Sequence, residues 1–132
     1  MAITLTNTLT RKKEPLQTIT PEIVGLYVCG ITPYDDSHIG HARSTVTFDI
    51  LFRLLNHTFG PKNVTYIRNF TDIDDKIINR ANALGKAPAE VSQLYIERYH
   101  ADMAALHCLK PTHEPRVSDK VVLDGIVTFI QS

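Results

Sequence analysis

Charge of one sign is missing from this chain: Lys and Arg number 14, Asp and Glu number 14, and the formal net charge is zero. No overall basic field announces a nucleic-acid partner, although local patches survive a neutral total. Cysteine is scarce too. Cys29 and Cys108 are the only two in 132 residues, which excludes a disulfide framework. No apolar run approaches membrane-spanning length, and the first seventeen residues are polar and charged rather than signal-like. The expectation is a cytoplasmic protein with reduced thiols and no membrane partner. Internal repeats and low-complexity tracts are absent as well. What remains is an ordinary composition, 43% apolar and 21% charged, and a length that suits one domain with a real core.

The pattern along the chain predicts α/β architecture. Met1 to Leu9 alternates loosely (Ile3, Leu5 and Leu9 against threonines) and suits a short strand or arm, after which Arg11 to Glu14 read as a solvated turn running into Pro15. Ile23 to Cys29 is continuously apolar, the mark of a strand buried on both faces in a parallel sheet, with Gly30 ending it. A helix is predicted from Ile39 to about Asn56, laying Ala42, Val46, Ile50, Leu51, Leu54 and Leu55 against the sheet. Gly60-Pro61 breaks the chain before a second strand, Val64 to Arg68, completing a right-handed βαβ unit. Asp72, Asp74 and Asp75 then read as a helix start rather than a metal site, with Asp72 also able to orient a pocket. That helix carries Ile77, Ile78, Ala81 and Leu84, and Gly85 closes it. A long amphipathic segment spans Ala89 to Leu109 with Val91, Leu94, Tyr95, Tyr99, Met103 and Leu106 as its stripe. Pro111 to Val117 reads as a loop, and Lys120 to Ile130 as a helix or strand.

Ligands of such sheets bind beyond the carboxyl ends of the strands, where Cys29 and Asn69 stand. The adjoining helix opens on His38-Ile39-Gly40-His41. A helix N-terminus offers free backbone N–H groups and a positive dipole to phosphate oxygens. Histidines three apart share one face of the first turn and can each donate to the same anion. Gly40 lets a base or ribose approach the backbone. These features indicate phosphate chemistry.

The stretch Tyr27-Val28-Cys29-Gly30-Ile31-Thr32-Pro33-Tyr34-Asp35 through His38-Ile39-Gly40-His41-Ala42-Arg43, followed by Arg68-Asn69-Phe70-Thr71-Asp72-Ile73-Asp74-Asp75-Lys76, resembles the amino-terminal part of the cysteinyl-tRNA synthetase family. Asn7 to Arg11 and Glu114-Pro115-Arg116 are similar as well, so the resemblance covers nearly the whole chain. It implies a Rossmann-like parallel sheet with flanking helices, incomplete here, in which residues 1–132 are the amino-terminal portion of a class I catalytic domain. It implies ATP-dependent activation of cysteine to cysteinyl adenylate and transfer to tRNA(Cys), with magnesium beside the ATP, and a monomeric parent enzyme.

By the resemblance, Cys29 matches a zinc ligand, the other ligands lying outside this chain, and zinc selects thiolate over serine's hydroxyl. Thr32, His38, Gly40, His41 and Ser44 match the ATP and adenylate site, with His38 and His41 stabilising charge on the phosphates. Gly30, Ile31, Thr32, Asn69, Phe70 and Thr71 match the cysteine pocket. Cys108 lies outside the motif and is read as core or surface. A Lys-Met-Ser-Lys-Ser loop, further zinc ligands and an anticodon-binding domain are all missing; the only methionines are Met1 and Met103. Two alternatives follow. One is a mycothiol-pathway cysteine ligase, against which the Ile73 to Lys76 run and the Asn7 to Arg11 opening weigh. The other is a non-catalytic nucleotide-binding fragment.

Overall fold

The two apolar runs pair directly. Strands β3 (Val24–Ile31) and β4 (Val64–Phe70) lie parallel, Val24 opposite Val64 and Val28 opposite Arg68. Parallel neighbours require a crossover, and α1 (Ile39–Phe59) supplies it. The computed structural model describes residues 3–132. Before this unit comes an antiparallel hairpin of β1 (Thr4–Asn7) and β2 (Lys12–Pro15). After it come α2 (Asp75–Leu84), α3 (Pro88–Ala105) and α4 (Lys120–Gln131). No described helix is long and apolar enough to cross a membrane.

Three core clusters hold these elements. Val24, Val28, Phe52, Leu55, Val64 and Tyr66 join α1 to the sheet. Phe70, Ile96, Tyr99 and Met103 join β4 to α3. Ile77, Ala81, Val91 and Tyr95 close the α2–α3 hairpin, with Tyr34 packed on them. The start and stop of α2 follow local chemistry: the Asp74 carboxylate accepts from Lys76 N at 2.8 Å, and Gly85 takes a left-handed conformation, φ 63°.

Several expectations are corrected. Lys12 to Glu14 is a strand, not a solvated turn, because Asn7 Nδ2 donates to Glu14 across the hairpin at 2.9 Å. The β3 strand runs on through Gly30 to Ile31. It is not buried on both faces: Val24 and Val28 pack under α1, while Tyr27 on the opposite face is 65% exposed, no described helix covering that face. Helix α1 continues to Phe59, and its inward face is rotated from the expected one: Leu51 and Leu55 pack on the core as expected, but Ile50 and Leu54 do not. Thr45, Asp49, Phe52 and Leu55 are buried, while Ile50 and Leu54 face outward. That rotation is fixed by the Phe52–Tyr66 ring contact and by the Asp49 carboxylate, which accepts from Leu109 N and Arg53 Nε at 2.8 Å each. Helix α3 ends at Ala105 rather than Leu109, the capping Leu106 is exposed, and Ser92 and Ile96 take buried places on the stripe.

The segment Pro111 to Val117 does more than connect. It runs parallel beside β4, Arg68 N donating to His113 O at 3.1 Å and Phe70 N to Pro115 O at 2.9 Å. Thr112 N and His113 N donate in turn to Tyr66 O at 2.7 and 3.1 Å, while Pro111 and Pro115, lacking N–H groups, keep the segment from becoming a regular strand. Asp72 also departs from the helix-start reading. It is buried and accepts from both the N–H and the hydroxyl of Ser118. The last segment is a helix, α4, with no buried residue.

Candidate functional site

The carboxyl ends of β3 and β4 are knitted by side chains as well as backbone. Opposite Asn69, β3 carries two residues, Cys29 and Gly30, a bulge between the pairs Val28–Arg68 and Ile31–Phe70. A bulge re-aims a side chain, and here the Cys29 thiol is exposed. Gly30 N donates to Asn69 Oδ1 at 2.9 Å, Thr71 N donates to Ile31 O at 3.0 Å, and Asn69 Nδ2 reaches Thr71 Oγ1 at 3.4 Å. Gly30, Ile31, Asn69 and Thr71 are thus brought together, all half-buried. Phe70 is set apart, because its ring is 1% exposed and packs edge-on against Tyr99.

The loop that follows β3 is anchored to the α2–α3 hairpin. Pro33 is buried, Tyr34 packs on the hairpin core with Lys76 Nζ 5.4 Å from its ring centre, and Arg98 Nη1 grips Asp36 at 2.8 and 3.0 Å. Arg80 approaches Asp35 at 3.6 Å and donates to Tyr95 OH at 3.0 Å. The helix carrying the histidines therefore starts from a held loop. The adjacent acidic pair, Asp35 and Asp36, supplies the grip.

His38 and His41 form a reciprocal cap. Gly40 N donates to His38 Nδ1 at 3.0 Å, and His38 N donates to His41 Nδ1 at 3.2 Å. The rings stack, centroids 4.0 Å apart and 23° from parallel. The amides of His41 and Ala42 also donate to His38 O. This narrows the expectation of free backbone donors at this helix start: Gly40 and His41 N–H are spent on His38 and the His38 N–H on the His41 ring. What the cap leaves is better defined. With both Nδ1 atoms accepting, each neutral ring carries its proton on Nε2, and those two Nε2–H groups are the donors available to an anion. Gly40 acquires a local reason as well, because a Cβ there would lie 2.8 Å from His38 Cε1 and 2.9 Å from its Nδ1. A cleft of about 300 Å³ flanks His38, walled by Ser37, Ala42, Asp102 and Met103. Thr32 is half-buried in the anchored loop, and Ser44 is exposed on the second turn of α1.

Burial, and then the neighbouring His38, hold the His41 imidazole below its ordinary value of 6.5. A depressed histidine favours the neutral folded form, so between the folded value and 6.5 the unfolded chain binds more protons. Its contribution to stability is therefore full above pH 6.5 and is lost as pH falls through the folded value. Protonation also places a hydrogen on Nδ1, where the His38 amide must donate. Thermal unfolding followed from neutral to acid pH should fall below pH 6.5, and the fall should be shallower in His41→Asn.

Zinc does not fit the described residues by themselves. No three His, Cys, Asp or Glu side chains among them are placed to share an ion, and Cys29 is a single soft donor. A protein zinc site takes at least three such ligands. Cys108 is half-buried against the Phe70 cluster, where burial and then Asp49 push its thiol up. It is therefore a poor thiolate donor. Among the buried residues that escaped the sequence reading is Arg68. Val64, Tyr66, Arg68 and Phe70 alternate inward along β4, so the period-two pattern was the available signal.

A family model described as tRNA synthetases class I (C) catalytic domain matches residues 15–132. The chain is 53% identical over 131 residues to cysteine–tRNA ligase 2, cytoplasmic, of Arabidopsis thaliana, covering 99% of this chain and 25% of that protein. It is 55% identical over 128 residues to a chloroplastic/mitochondrial cysteine–tRNA ligase homologue of Oryza sativa subsp. japonica, covering 96% and 22%. It is 47% identical over 130 residues to the cysteine–tRNA ligase of Wolbachia pipientis subsp. Culex pipiens, covering 98% and 27%. The chain spans about a quarter of the length of the curated relatives it matches.

Proposed function

The chain belongs to the class I (C) tRNA synthetase catalytic-domain family, and on that premise we propose that residues 1–132 are the amino-terminal portion of a cysteine–tRNA ligase catalytic domain. The observation that carries the proposal is the stacked pair His38–His41, whose mutual cap leaves two Nε2–H donors at a helix N-terminus beside the ends of two parallel strands.

The reaction proposed has two steps. A carboxylate oxygen of cysteine attacks the α-phosphorus of ATP, the bond from that phosphorus to the β-phosphate bridge breaks, and pyrophosphate leaves. A terminal ribose hydroxyl of tRNA(Cys) then attacks the cysteinyl carbonyl, and AMP leaves. Neither step forms a bond to the protein, so the chain's contribution is positioning and charge stabilisation. His38 and His41 donate from Nε2 to phosphate oxygens on which negative charge builds. Magnesium accompanies the ATP. Gly30, Ile31, Thr32, Asn69 and Thr71 form the wall for the amino acid, with Phe70 as buried support and Ser44 and Gly40 on the adenylate side. Selecting cysteine over serine asks for a soft metal, and Cys29 is one thiolate offered toward zinc; no step above runs through it. The relatives' names favour tRNA over a sugar amine as the acceptor. The enzyme is proposed to work as a monomer in the cytoplasm, the compartment in the Arabidopsis relative's name, although the rice relative is named for organelles.

The test is cysteine-dependent exchange of pyrophosphate into ATP, by the chain alone and by the chain joined to the remaining part of the Arabidopsis enzyme. The joined protein is expected to exchange with cysteine and not with serine. Exchange lost in the joined protein, while the intact Arabidopsis enzyme exchanges, would count against the proposal. Exchange by the 132-residue chain alone would remove the non-catalytic alternative outright.

A further inference from the structure

Asp72 stands one residue past Thr71, where β4 has ended, and it is buried. Among the described residues its carboxylate pairs with no cation. Its donors there belong to one residue, the Ser118 N–H at 3.1 Å and the Ser118 hydroxyl. A buried carboxylate without a counter-charge is costly unless its oxygens are hydrogen-bonded. The place of Asp72 therefore follows the place of Ser118. Ser118 is itself held: Arg116 N donates to Asp119 Oδ2 and Asp119 N to Arg116 O, each at 3.2 Å, which closes a turn around it. The Arg116 guanidinium reaches Gln93 Oε1 at 2.8 Å and ties that turn to α3.

We propose that Ser118 is a positioning residue for the proposed amino-acid wall, acting through Asp72 on Asn69 and Thr71. The inference rests on the reading of those two residues as that wall. The route between them is short. Thr71 adjoins Asp72 in the chain, its N–H donates to Ile31 O, and its hydroxyl meets Asn69 Nδ2, while Asn69 Oδ1 accepts from Gly30 N. The strand end is thus held from two sides. On one side stand Gly30 and Ile31 of β3. On the other, Phe70 N donates to Pro115 O, and past that bond the Asp72–Ser118 pair is the tie. Without the hydroxyl, one side of this grip weakens, and Thr71 and Asn69 shift against β3. A misplaced wall loses hold of the amino acid before and during the reaction alike, so the effect falls on KM for cysteine and spares kcat.

Ser118→Val and Ser118→Thr test this, because the two side chains share one shape and differ in the hydroxyl. Ser118 is exposed apart from its bonds to Asp72, so neither variant opens a cavity. In the 132-residue chain, the Gly30 and Thr71 amides should exchange hydrogen about tenfold faster in Ser118→Val than in Ser118→Thr. Val24 N, which donates to Asn63 O at the opposite end of the two strands, should keep its rate. In the joined enzyme, KM for cysteine in pyrophosphate exchange should be about fivefold higher in Ser118→Val, with kcat and KM for ATP within about twofold. Placed on Asp72→Ala, the two variants should coincide, since the route through the carboxylate is gone. Equal rates at Gly30 and Thr71 in the two variants would overturn the proposal. An equal acceleration at Val24 would do the same, because it marks a general loss of stability, and so would a common KM for cysteine. A joined enzyme without any exchange counts against the function proposed above, and the amide rates still decide the role of Ser118.

Discussion

Gly30→Ala should destabilise the protein by about 3 kcal/mol or more, beyond most small-to-large substitutions. A Cβ at position 30 would lie 1.4 Å from the backbone oxygen of Asn69 and 2.6 Å from its carbonyl carbon. The obstacle is main chain, so no rotamer change relieves it. The strand ends must separate, and with them go the Gly30 N to Asn69 Oδ1 bond and the Thr71 N to Ile31 O bond. Gly25→Ala is the matched control on the same strand. Nothing lies within 4 Å of its Cβ and its backbone is ordinary, so it should change stability by about 0.5 kcal/mol at most, in the stabilising direction. Urea unfolding of both variants measures the difference as a shift of midpoint at constant slope. Midpoints that coincide for the two alanines would show that the β3 and β4 ends are not packed as described. The expected loss is also functional, because the close approach that needs Gly30 holds Asn69 beside the exposed Cys29 end of β3.

That bulge shows where sequence reading stops. The existence of β3, β4, α1 and α2 was legible because each has its own local signal: an apolar run, a helical period, Asp74 before the helix and Gly85 after it. The inward face of α1 was legible only in part, at Leu51 and Leu55, because its apolar residues are spread wide enough to permit more than one rotation. The choice among them is made by Tyr66 and by the Leu109 amide, remote in sequence. The Pro111–Val117 segment reads as a loop for the same reason: its partners are the amides of β4, and nothing within it announces them. At the site, the residue types and their clustering came through, and the roles of individual atoms did not. Counting free amides at a helix start predicts an open anion cradle, whereas the two histidines between them occupy three, those of His38, Gly40 and His41. The donors that remain follow only from knowing which ring nitrogen is already occupied.

The same distinction separates two roles of His38 by experiment. His38→Ala should lose both the cap and the phosphate donor. The missing cap costs about 1 kcal/mol, read as a lower thermal midpoint of the chain. The missing donor costs roughly 10²–10³-fold in cysteine-dependent pyrophosphate exchange by the joined enzyme, the range for removing one donor to developing charge. His38→Asn divides these effects. Asparagine is a strong N-cap whose side-chain oxygen can accept from Gly40 N as Nδ1 now does. It is too short to reach outward as Nε2–H does. Stability in His38→Asn should therefore stay within about 0.5 kcal/mol of the unaltered chain, while exchange falls as far as in the alanine variant. Were His38 only a capping residue, His38→Asn would keep its activity along with its stability, and the proposed role on phosphate would fall. His41→Asn gives an independent check. It removes the ring stacked 4.0 Å from His38 and the acceptor for the His38 amide, and it should lose exchange as well. The acid sensitivity assigned to His41 should also diminish there, a change that a purely steric effect of the substitution would not produce.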